Sequence, residues 1–284
     1  MPIFVALLVG PSLQSSAQES ASVVGPVEHV YATPGVQDLK AYVFAPKRER
    51  TSTPRSAIVI FHGGGWHVGS PEWAFSRAAH FAELGMVAIA AEYRLSDQKS
   101  ITPLEAMADA RAVIRWARSN AAVLGIDTDR IAAYGWSAGA HLATCAAIFD
   151  DSLPNVTVSA APNALILVSP AVSLEGDRWA QRLLGETASV DEISPDTHVR
   201  EGLPPTIIVQ GRTDTVTPLN GVQRFCDRMR ESANRCDLHI YDGVGHLFTP
   251  SSEPDDGLPN PDREVQAAAY REVDNFLASL GFIR

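Results

Sequence analysis

The sequence predicts an α/β fold in which a mostly parallel sheet is covered by helices on both faces. Short apolar runs alternate with longer segments of helical pattern along most of the 284 residues. One such run, residues 57–61, is apolar throughout, as expected of a strand buried on both faces. Strands that alternate with crossover helices are typical of a parallel sheet. The length fits one large domain, which we expect to span residues 26–284.

Each element follows from its own apolar pattern and the turn residues that bound it. The first two strands flank Pro34 and Gly35, and we expect them to pair antiparallel at the entry to the sheet. The predicted strands are residues 29–32, 39–44, 57–61, 86–91, 131–134, 164–168, 206–210 and 238–241. The predicted helices are residues 71–84, 103–124, 138–149, 218–232 and 262–280.

One long segment, residues 169–203, interrupts this alternation between two strands. It carries Trp179 on a short helical stretch and several prolines. Ligands bind at the carboxyl edge of a parallel sheet, where such an insertion emerges. The segment is therefore expected to be a small lid or pocket wall, with an ordinary connecting helix as the alternative.

Composition and charge exclude several classes of protein. Hydrophobic residues make up 45% of the chain and charged residues 20%, as in ordinary globular proteins. The net charge of -10 argues against a nucleic-acid partner, which requires a basic face. No spacing of the C-x-x-C or H-E-x-x-H type is present, so we predict neither a metal site nor a cofactor.

The N-terminus is expected to be a signal peptide, residues 1–17, cleaved after Ala17. The apolar run at residues 1–10 has the right length, although no lysine or arginine precedes it. A bilayer needs about 20 apolar residues, so no stable membrane insertion is expected. Export makes the protein secreted or periplasmic, and the alternative is an uncleaved N-terminus on a cytoplasmic protein.

The oxidation state expected for the three cysteines depends on whether the protein is exported. Cys226 and Cys236 are ten residues apart and would be bridged in an exported protein, but free in the cytosol. Cys145 lies among small residues of a predicted helix, which indicates a buried thiol.

The clearest chemical motif is GWSAG at residues 135–139, between a predicted strand and a predicted helix. This context is the one that the G-x-S-x-G nucleophile elbow requires. Its two glycines allow close backbone packing around a sharp turn. Ser137 is therefore the candidate nucleophile, placed at a helix N-terminus whose dipole favours negative charge.

A serine hydroxyl needs a base, and position distinguishes among the eight histidines. His246 lies in a glycine-rich loop that follows the strand 238–241, at the edge where Ser137 also emerges. His141 lies one helical turn after Ser137 and is interpreted as structural. His239 is a strand residue, and the remaining histidines away from such a loop are expected to be surface or structural residues, namely His29, His80 and His198.

The acid should leave another strand end and stand between serine and base in the chain. Asp214 satisfies both conditions, because it follows the strand 206–210. Asp242 is the alternative, although it lies very near His246 in the same loop. Asp177 and Asp191, in the insertion, are weaker candidates.

A glycine-rich loop, HGGGW at residues 62–66, directly follows the strand 57–61. Backbone N–H groups in such a loop can stabilise the oxyanion of a tetrahedral intermediate. Gly63 and Gly64 are the candidate donors, together with the N–H of Ala138 after the nucleophile. The loop lacks the lysine and spacing of a phosphate-binding loop.

The chain resembles the hormone-sensitive-lipase-like branch of the α/β-hydrolases. The resemblance rests on HGGGW, EYRL (92–95), GWSAG, GRTD (211–214) and GVGH (243–246) in this order, and it covers roughly residues 55–250. It is greatest to the compact bacterial esterases that include bifunctional acetylxylan and feruloyl esterases. It implies the α/β-hydrolase fold, the triad Ser137, Asp214 and His246, and a structural ion pair of Arg94 with Asp109.

Two departures from that family affect the site. Ala140 stands where many relatives have a second glycine, and too few residues precede Ile58 for the N-terminal helical cap of larger members. We therefore expect an open site walled by Trp66, Trp136 and the insertion. Such a site would accept a bulky alcohol such as a sugar while limiting acyl length.

The sequence thus predicts a serine carboxylic-ester hydrolase acting on short-chain acyl esters, including acetyl or feruloyl groups on carbohydrates. One alternative is an amide-directed hydrolase on the same triad, such as an arylformamidase or small peptidase. Another is a non-catalytic hydrolase fold that binds a ligand.

Overall fold

The structure is a computed structural model that describes residues 23–47, 53–97, 100–149 and 157–284. The predicted signal peptide lies outside these residues. Across them runs an eight-stranded sheet with the order β1-β2-β4-β3-β5-β6-β7-β8. Its strands are β1 (Val23–Ala32), β2 (Leu39–Pro46), β3 (Arg55–Phe61), β4 (Val87–Ala91), β5 (Ile126–Trp136), β6 (Ala164–Val168), β7 (Thr206–Gly211) and β8 (Cys236–Tyr241).

The sheet is mostly parallel, as predicted. Strands β3 to β8 pair parallel to one another. Strands β1 and β2 pair antiparallel, and β2 pairs antiparallel with β4, so the predicted antiparallel entry is confirmed. Strand β1 begins six residues earlier than expected, at Val23. Its first half contains Gly25 and Pro26, which weaken a strand pattern but are tolerated at a sheet edge.

The helices agree with the predicted segments to within a few residues, with two exceptions. They are α1 (Phe75–Glu83), α2 (Pro103–Ser119), α3 (Ala121–Leu124), α4 (Ala138–Ile148), α5 (Arg178–Leu184), α6 (Val190–Ile193), α7 (Leu219–Glu231) and α8 (Arg263–Ser279). The first predicted helix starts as a 3₁₀ turn, Pro71–Ala74. The segment 103–124 is divided at Asn120, whose backbone N–H and side-chain amide both donate to the carbonyl of Trp116.

Strand β3 shows how the sheet divides the core into two layers. Val59 and Phe61 pack with α2, α4 and α7 on one face of the sheet. Ile58 and Ile60 point to the other face and pack with α1 and α8. All four side chains are fully buried, which explains why this strand is apolar at every position.

The carboxyl ends of the parallel strands share one edge of the sheet. The loops that follow β3, β5, β7 and β8 meet there, and these are the loops that carry the predicted site residues. Residues 169–203 connect β6 to β7 and fold into α5, α6 and a 3₁₀ turn, Pro195–Thr197. Within the described ranges no helix is both long and apolar enough to cross a bilayer.

Candidate active site

Ser137 lies at a strained turn between β5 and α4. Its backbone has φ 53° and ψ -124°, a conformation that is costly for a residue with a side chain. A Cβ atom on Gly135 would lie 2.2 Å from the carbonyl oxygen of Gly139, and one on Gly139 would lie 2.2 Å from that of Phe61. Both glycines of the motif are therefore required for the turn to close against β3.

The structure brings together Ser137, His246 and Asp214. His246 Nε2 lies 3.1 Å from Ser137 Oγ, and its Nδ1 lies 2.9 Å from Asp214 Oδ2. Because a carboxylate only accepts, the imidazole proton is on Nδ1 and Nε2 is free to accept from the serine hydroxyl. All three residues are at least nine-tenths buried.

The carboxylate of Asp214 is held by several donors from its own turn. The N–H groups of Val216 and Thr217 donate to Oδ1 at 3.0 and 2.7 Å, and the side-chain amide of Gln210 donates to Oδ2 at 3.0 Å. The Thr217 hydroxyl lies 2.9 Å from Oδ2 and 3.3 Å from His246 Nδ1. These contacts orient the carboxylate toward the imidazole.

Sequence reasoning did not identify Gln210 and Thr217, although both left a signal. Gln210 is a polar residue at the end of an otherwise apolar strand and is fully buried. A turn in which an aspartate side chain accepts from the N–H groups two and three residues later is common.

Asp255 is a further residue that the sequence did not single out. Its Oδ2 accepts from the N–H of His246 at 2.8 Å and from the N–H of Thr215 at 3.0 Å, and its other oxygen accepts from the Thr215 hydroxyl. Burial alone would raise the pKa of Asp255, but these hydrogen bonds outweigh it and the pKa is lowered. The ionised carboxylate therefore joins the loop after β7, which carries Asp214, to the loop after β8, which carries His246. These two segments are called the acid loop and the base loop below.

The loop after β3 presents backbone donors beside Ser137. Gly64 has φ +116°, and a Cβ atom there would lie 2.0 Å from the carbonyl oxygen of Val68. In the described part of the chain the N–H groups of Gly63, Gly64 and Ala138 donate to no protein acceptor. Three donors left in this state next to a nucleophile fit the oxyanion hole that the sequence predicts.

Trp66 is buried and does not face the open site, so its predicted role as a wall of that site is wrong. Its side chain is 2% exposed, and its indole N–H donates to His141 Nδ1 at 3.2 Å. At φ 60° the backbone turns this side chain away from the cleft and under the loop. Trp136, by contrast, is partly exposed and lines a pocket of about 250 Å³.

His141 is structural, as predicted, and connects three parts of the site. Its Nε2 donates to the carbonyl of Ile193 at 2.9 Å, while its Nδ1 accepts from Trp66. Burial lowers its pKa from 6.5 to about 4, so the ring is neutral at pH 7. The nucleophile helix, the glycine-rich loop and the insertion are thereby tied together through one imidazole.

The insertion also contacts the glycine-rich loop directly. Trp179, on α5, donates its indole N–H to the carbonyl of Gly65 at 3.0 Å. A Cβ atom on Gly65 would lie 2.9 Å from the same nitrogen. Trp179 thus connects the insertion to the loop that carries the candidate oxyanion donors.

The alternative acids lie outside this arrangement. Asp242 pairs with Arg212 and its side chain is 79% exposed. Asp177 caps α5 by accepting from the N–H groups of Trp179 and Ala180. Asp191 is exposed.

Two further contacts concern predicted structural residues. Arg94 forms a two-pronged ion pair with Asp109, with N–O distances of 2.8 and 2.7 Å, as the family resemblance implied. Cys226 and Cys236 are joined by a disulfide that connects α7 to the start of β8, and Cys145 is a buried free thiol.

Comparisons with known proteins find esterases among the similar sequences and structures. A thermophilic esterase from Thermogutta terrifontis, solved with propionate bound, is 36% identical, covers 91% of this chain and 96% of its own, and superposes with a TM-score of 0.80. The probable carboxylic ester hydrolase LipM of Mycobacterium tuberculosis is 27% identical over 62% of this chain. Endo-1,4-beta-xylanase B of Butyrivibrio fibrisolvens is 28% identical over 62% of it.

The chain spans less than half the length of these last two relatives, 46% and 30% respectively. The sequence profile of the BD-FAE family matches residues 42–229, which includes the glycine-rich loop, the elbow and the acid. With its eight-stranded sheet and the esterase structures that superpose on it, the chain belongs to the BD-FAE family and has the α/β-hydrolase fold.

Proposed function

We propose that the protein is a serine carboxylic-ester hydrolase. The observation that carries the proposal is the hydrogen-bonded chain from Ser137 Oγ through His246 to Asp214. It lies beside three backbone N–H groups that donate to no acceptor among the described residues. Such a combination serves acyl transfer, because it activates a nucleophile and stabilises the oxyanion that forms.

In the first half of the reaction, Ser137 Oγ attacks the ester carbonyl while His246 Nε2 takes the hydroxyl proton. Asp214 stabilises the resulting imidazolium, and the N–H groups of Gly63, Gly64 and Ala138 stabilise the negative oxygen. The imidazolium then protonates the leaving alcohol as the C–O bond breaks, which leaves an acyl-enzyme.

In the second half, His246 removes a proton from water, and the hydroxide attacks the acyl-enzyme carbonyl. The new tetrahedral intermediate collapses, the carboxylic acid leaves, and His246 returns the proton to Ser137. Each half reaction uses the same oxyanion donors, and no cofactor enters the balance of atoms.

We propose short acyl esters as the substrates, with acetyl or feruloyl groups on carbohydrates as the specific candidates. The Thermogutta terrifontis esterase has been solved with propionate and with butyrate, both short carboxylates. Here α5 of the insertion contacts the glycine-rich loop through the hydrogen bond of Trp179 to Gly65, next to the proposed donors Gly63 and Gly64.

The test compares wild type with Ser137→Ala on acetyl, butyryl and octanoyl aryl esters, acetylated xylan, methyl ferulate and N-formylkynurenine. Ser251→Ala, on an exposed loop, is the matched control. We expect fastest turnover of acetyl and butyryl esters and a loss on the order of 10⁶-fold in Ser137→Ala.

Three results would contradict parts of this proposal. Full activity of Ser137→Ala excludes the mechanism, and faster cleavage of octanoyl than of acetyl esters excludes the short-acyl preference. Preference for N-formylkynurenine indicates the amide-directed alternative, and silence on every substrate indicates a ligand-binding protein.

We also propose that the protein is exported after cleavage behind Ala17. Support comes from the apolar run at residues 1–10 and from the Cys226–Cys236 disulfide, because such bonds persist in oxidising compartments. Mass spectrometry of the protein from the periplasm or medium, under non-reducing conditions, should give a chain starting at Gln18 that lacks two thiol hydrogens. A full-length chain with three free thiols would contradict it.

A further inference from the structure

A pocket of about 250 Å³ opens between α1 and α8, on the face of the sheet opposite the insertion. Five of its eleven lining residues are aromatic, namely Trp73, Tyr134, Trp136, Phe248 and Tyr270, and of these Tyr134 and Phe248 are almost fully buried. Small-molecule sites combine aromatic or apolar side chains with a few polar groups, which here are Ser76, Arg77 and Gln266. The mechanism proposed above uses none of these side chains.

The pocket lies next to the reacting groups. Trp136 is the residue before Ser137, and Leu247, which also lines the pocket, is the residue after His246. Neither Ser137 nor His246 lines the pocket, so a group held in it would lie beside the reacting atoms rather than on them.

Among the described residues that line the pocket, Arg77 is the one with a charged side chain. The guanidinium carbon lies 3.5 Å from the centre of the Tyr270 ring, in a stacked cation–π contact. In the described part of the chain Arg77 forms no ion pair.

Stacking uses the face of a guanidinium and leaves its N–H edge available for an anion. The protein as a whole carries a net charge of -10, whereas the charged residue in this lining is a cation. The aromatic walls favour a flat ring, and the cation favours a negative substituent on it.

We propose that this pocket binds an aromatic ring with an anionic substituent, as the part of the substrate that lies beside the scissile ester. The inference rests on the proposed esterase function only in naming the ligand as part of a substrate. Arg77 receives the anion, and Trp73 and Trp136 contact the ring.

The test measures equilibrium binding to the Ser137→Ala protein by calorimetry, so that no turnover is needed. The probes are benzoate, cyclohexanecarboxylate with the same charge but no aromatic ring, and benzamide with the ring but no charge. We expect benzoate to bind at least about tenfold more tightly than either of the other two, because each lacks one of the two contacts.

Arg77→Gln should weaken benzoate binding by about tenfold or more, since a hydrogen bond to a charged group is lost. Arg271→Gln, which removes the same charge from an exposed position next to Tyr270, should leave it unchanged. Arg77→Lys keeps the charge and serves as a second variant, with an intermediate affinity expected.

Saturating butyrate distinguishes benzoate bound in this pocket from benzoate bound at the triad. We expect butyrate to leave the benzoate affinity unchanged, and displacement by butyrate would place benzoate at the triad and overturn the proposal. Equal binding of the three probes, or no effect of Arg77→Gln, would overturn it too. Absence of ester hydrolysis by the wild-type enzyme would instead count against the proposed function alone.

Discussion

At the scale of single residues, the contacts of its carboxylate support Asp214 as the proposed acid. Four protein donors and His246 surround its carboxylate, whereas Asp242 is exposed and paired with Arg212. The distinction matters because both aspartates lie within reach of the base loop along the chain.

Asp214→Asn should therefore lower kcat by about 10⁴-fold, because the amide disturbs the tautomer of His246. Asp242→Asn is the matched control and should retain wild-type kcat, since a surface ion pair is all it removes. Steady-state hydrolysis of an acetyl aryl ester measures both. A loss confined to the Asp242 variant would reverse the assignment.

Gly64 is the residue at which the backbone itself is proposed to act. A Cβ atom at this position meets the carbonyl of Val68 and requires φ +116°, so Gly64→Ala must move the loop. We expect kcat to fall by about 10²- to 10³-fold, the usual effect of losing an oxyanion donor. Gly257→Ala, where a Cβ atom meets nothing within 4 Å, should be neutral. Wild-type kcat in Gly64→Ala would exclude these donors.

At the scale of elements, the site depends on loops from different strands being held in register with one another. Gly211, at the end of β7, packs so closely on the base loop that a Cβ atom would lie 2.2 Å from the carbonyl of Gly245. Asp255 then ties the same two loops together with its carboxylate. His141 does the equivalent for the glycine-rich loop and the insertion.

Asp255→Ala should lower kcat by about 10- to 100-fold with a smaller effect on KM, because misplacing the base by a fraction of an ångström weakens general base catalysis. Asp255→Asn should retain more activity, since both N–H groups donate to one oxygen that an amide can still supply. The neighbouring Asp256→Ala is the control, as Asp256 is exposed. Equal kinetics of the Ala variants at 255 and 256 would refute this role.

The elements also show where local sequence signals end. The helix predicted over 103–124 is interrupted at Asn120, because the preference of asparagine for turns exceeds an approximate helical stripe. The early start of β1 was missed for the opposite reason, since pairing with β2 overrides an unfavourable Gly-Pro sequence at the sheet edge.

At the scale of the whole molecule, two buried histidines make stability depend on pH. Burial lowers the pKa of His62 and of His141 from 6.5 to about 4. The unfolded chain then binds more protons than the folded chain between these values. The contribution of the two histidines to the free energy of unfolding is therefore fully present above pH 6.5 and is lost as the pH falls toward 4.

Urea unfolding between pH 7 and 5 should show a decrease in the free energy of unfolding of up to about 1.4 kcal/mol per pH unit for each histidine. His141→Gln removes one of the two histidines, so its free energy of unfolding should decrease about half as steeply over this pH range. This holds whatever the stability of the variant at pH 7. A stability that stays constant over this range would contradict the assignment of these rings as neutral in the folded state.

The disulfide is the other contribution at this scale. Removing both Cys226 and Cys236 by substitution with alanine should lower the free energy of unfolding by about 2–3 kcal/mol, the value for closing a short loop. A reducing agent should destabilise the wild-type protein by a similar amount and the double variant not at all. Equal sensitivity of the two proteins to reduction would show that the bond contributes nothing.

Much of this protein was determined by the sequence alone, because the signals involved are local. Alternating apolar runs define the parallel sheet, GWSAG needs only its flanking strand and helix, and chain order places Asp214 before His246 at strand ends. Signals of this kind depend on residues that lie close together in the chain.

The tertiary structure decided which side chains face the cleft. Trp66 was expected to wall the site, but its side chain is buried and donates to His141. Trp179, more than 100 positions away in the chain, contacts the same loop at Gly65. Asp255 joins the acid and base loops without any sequence signal. Side-chain direction depends on contacts between distant segments, and those exist only once the sheet has brought its loops to one edge.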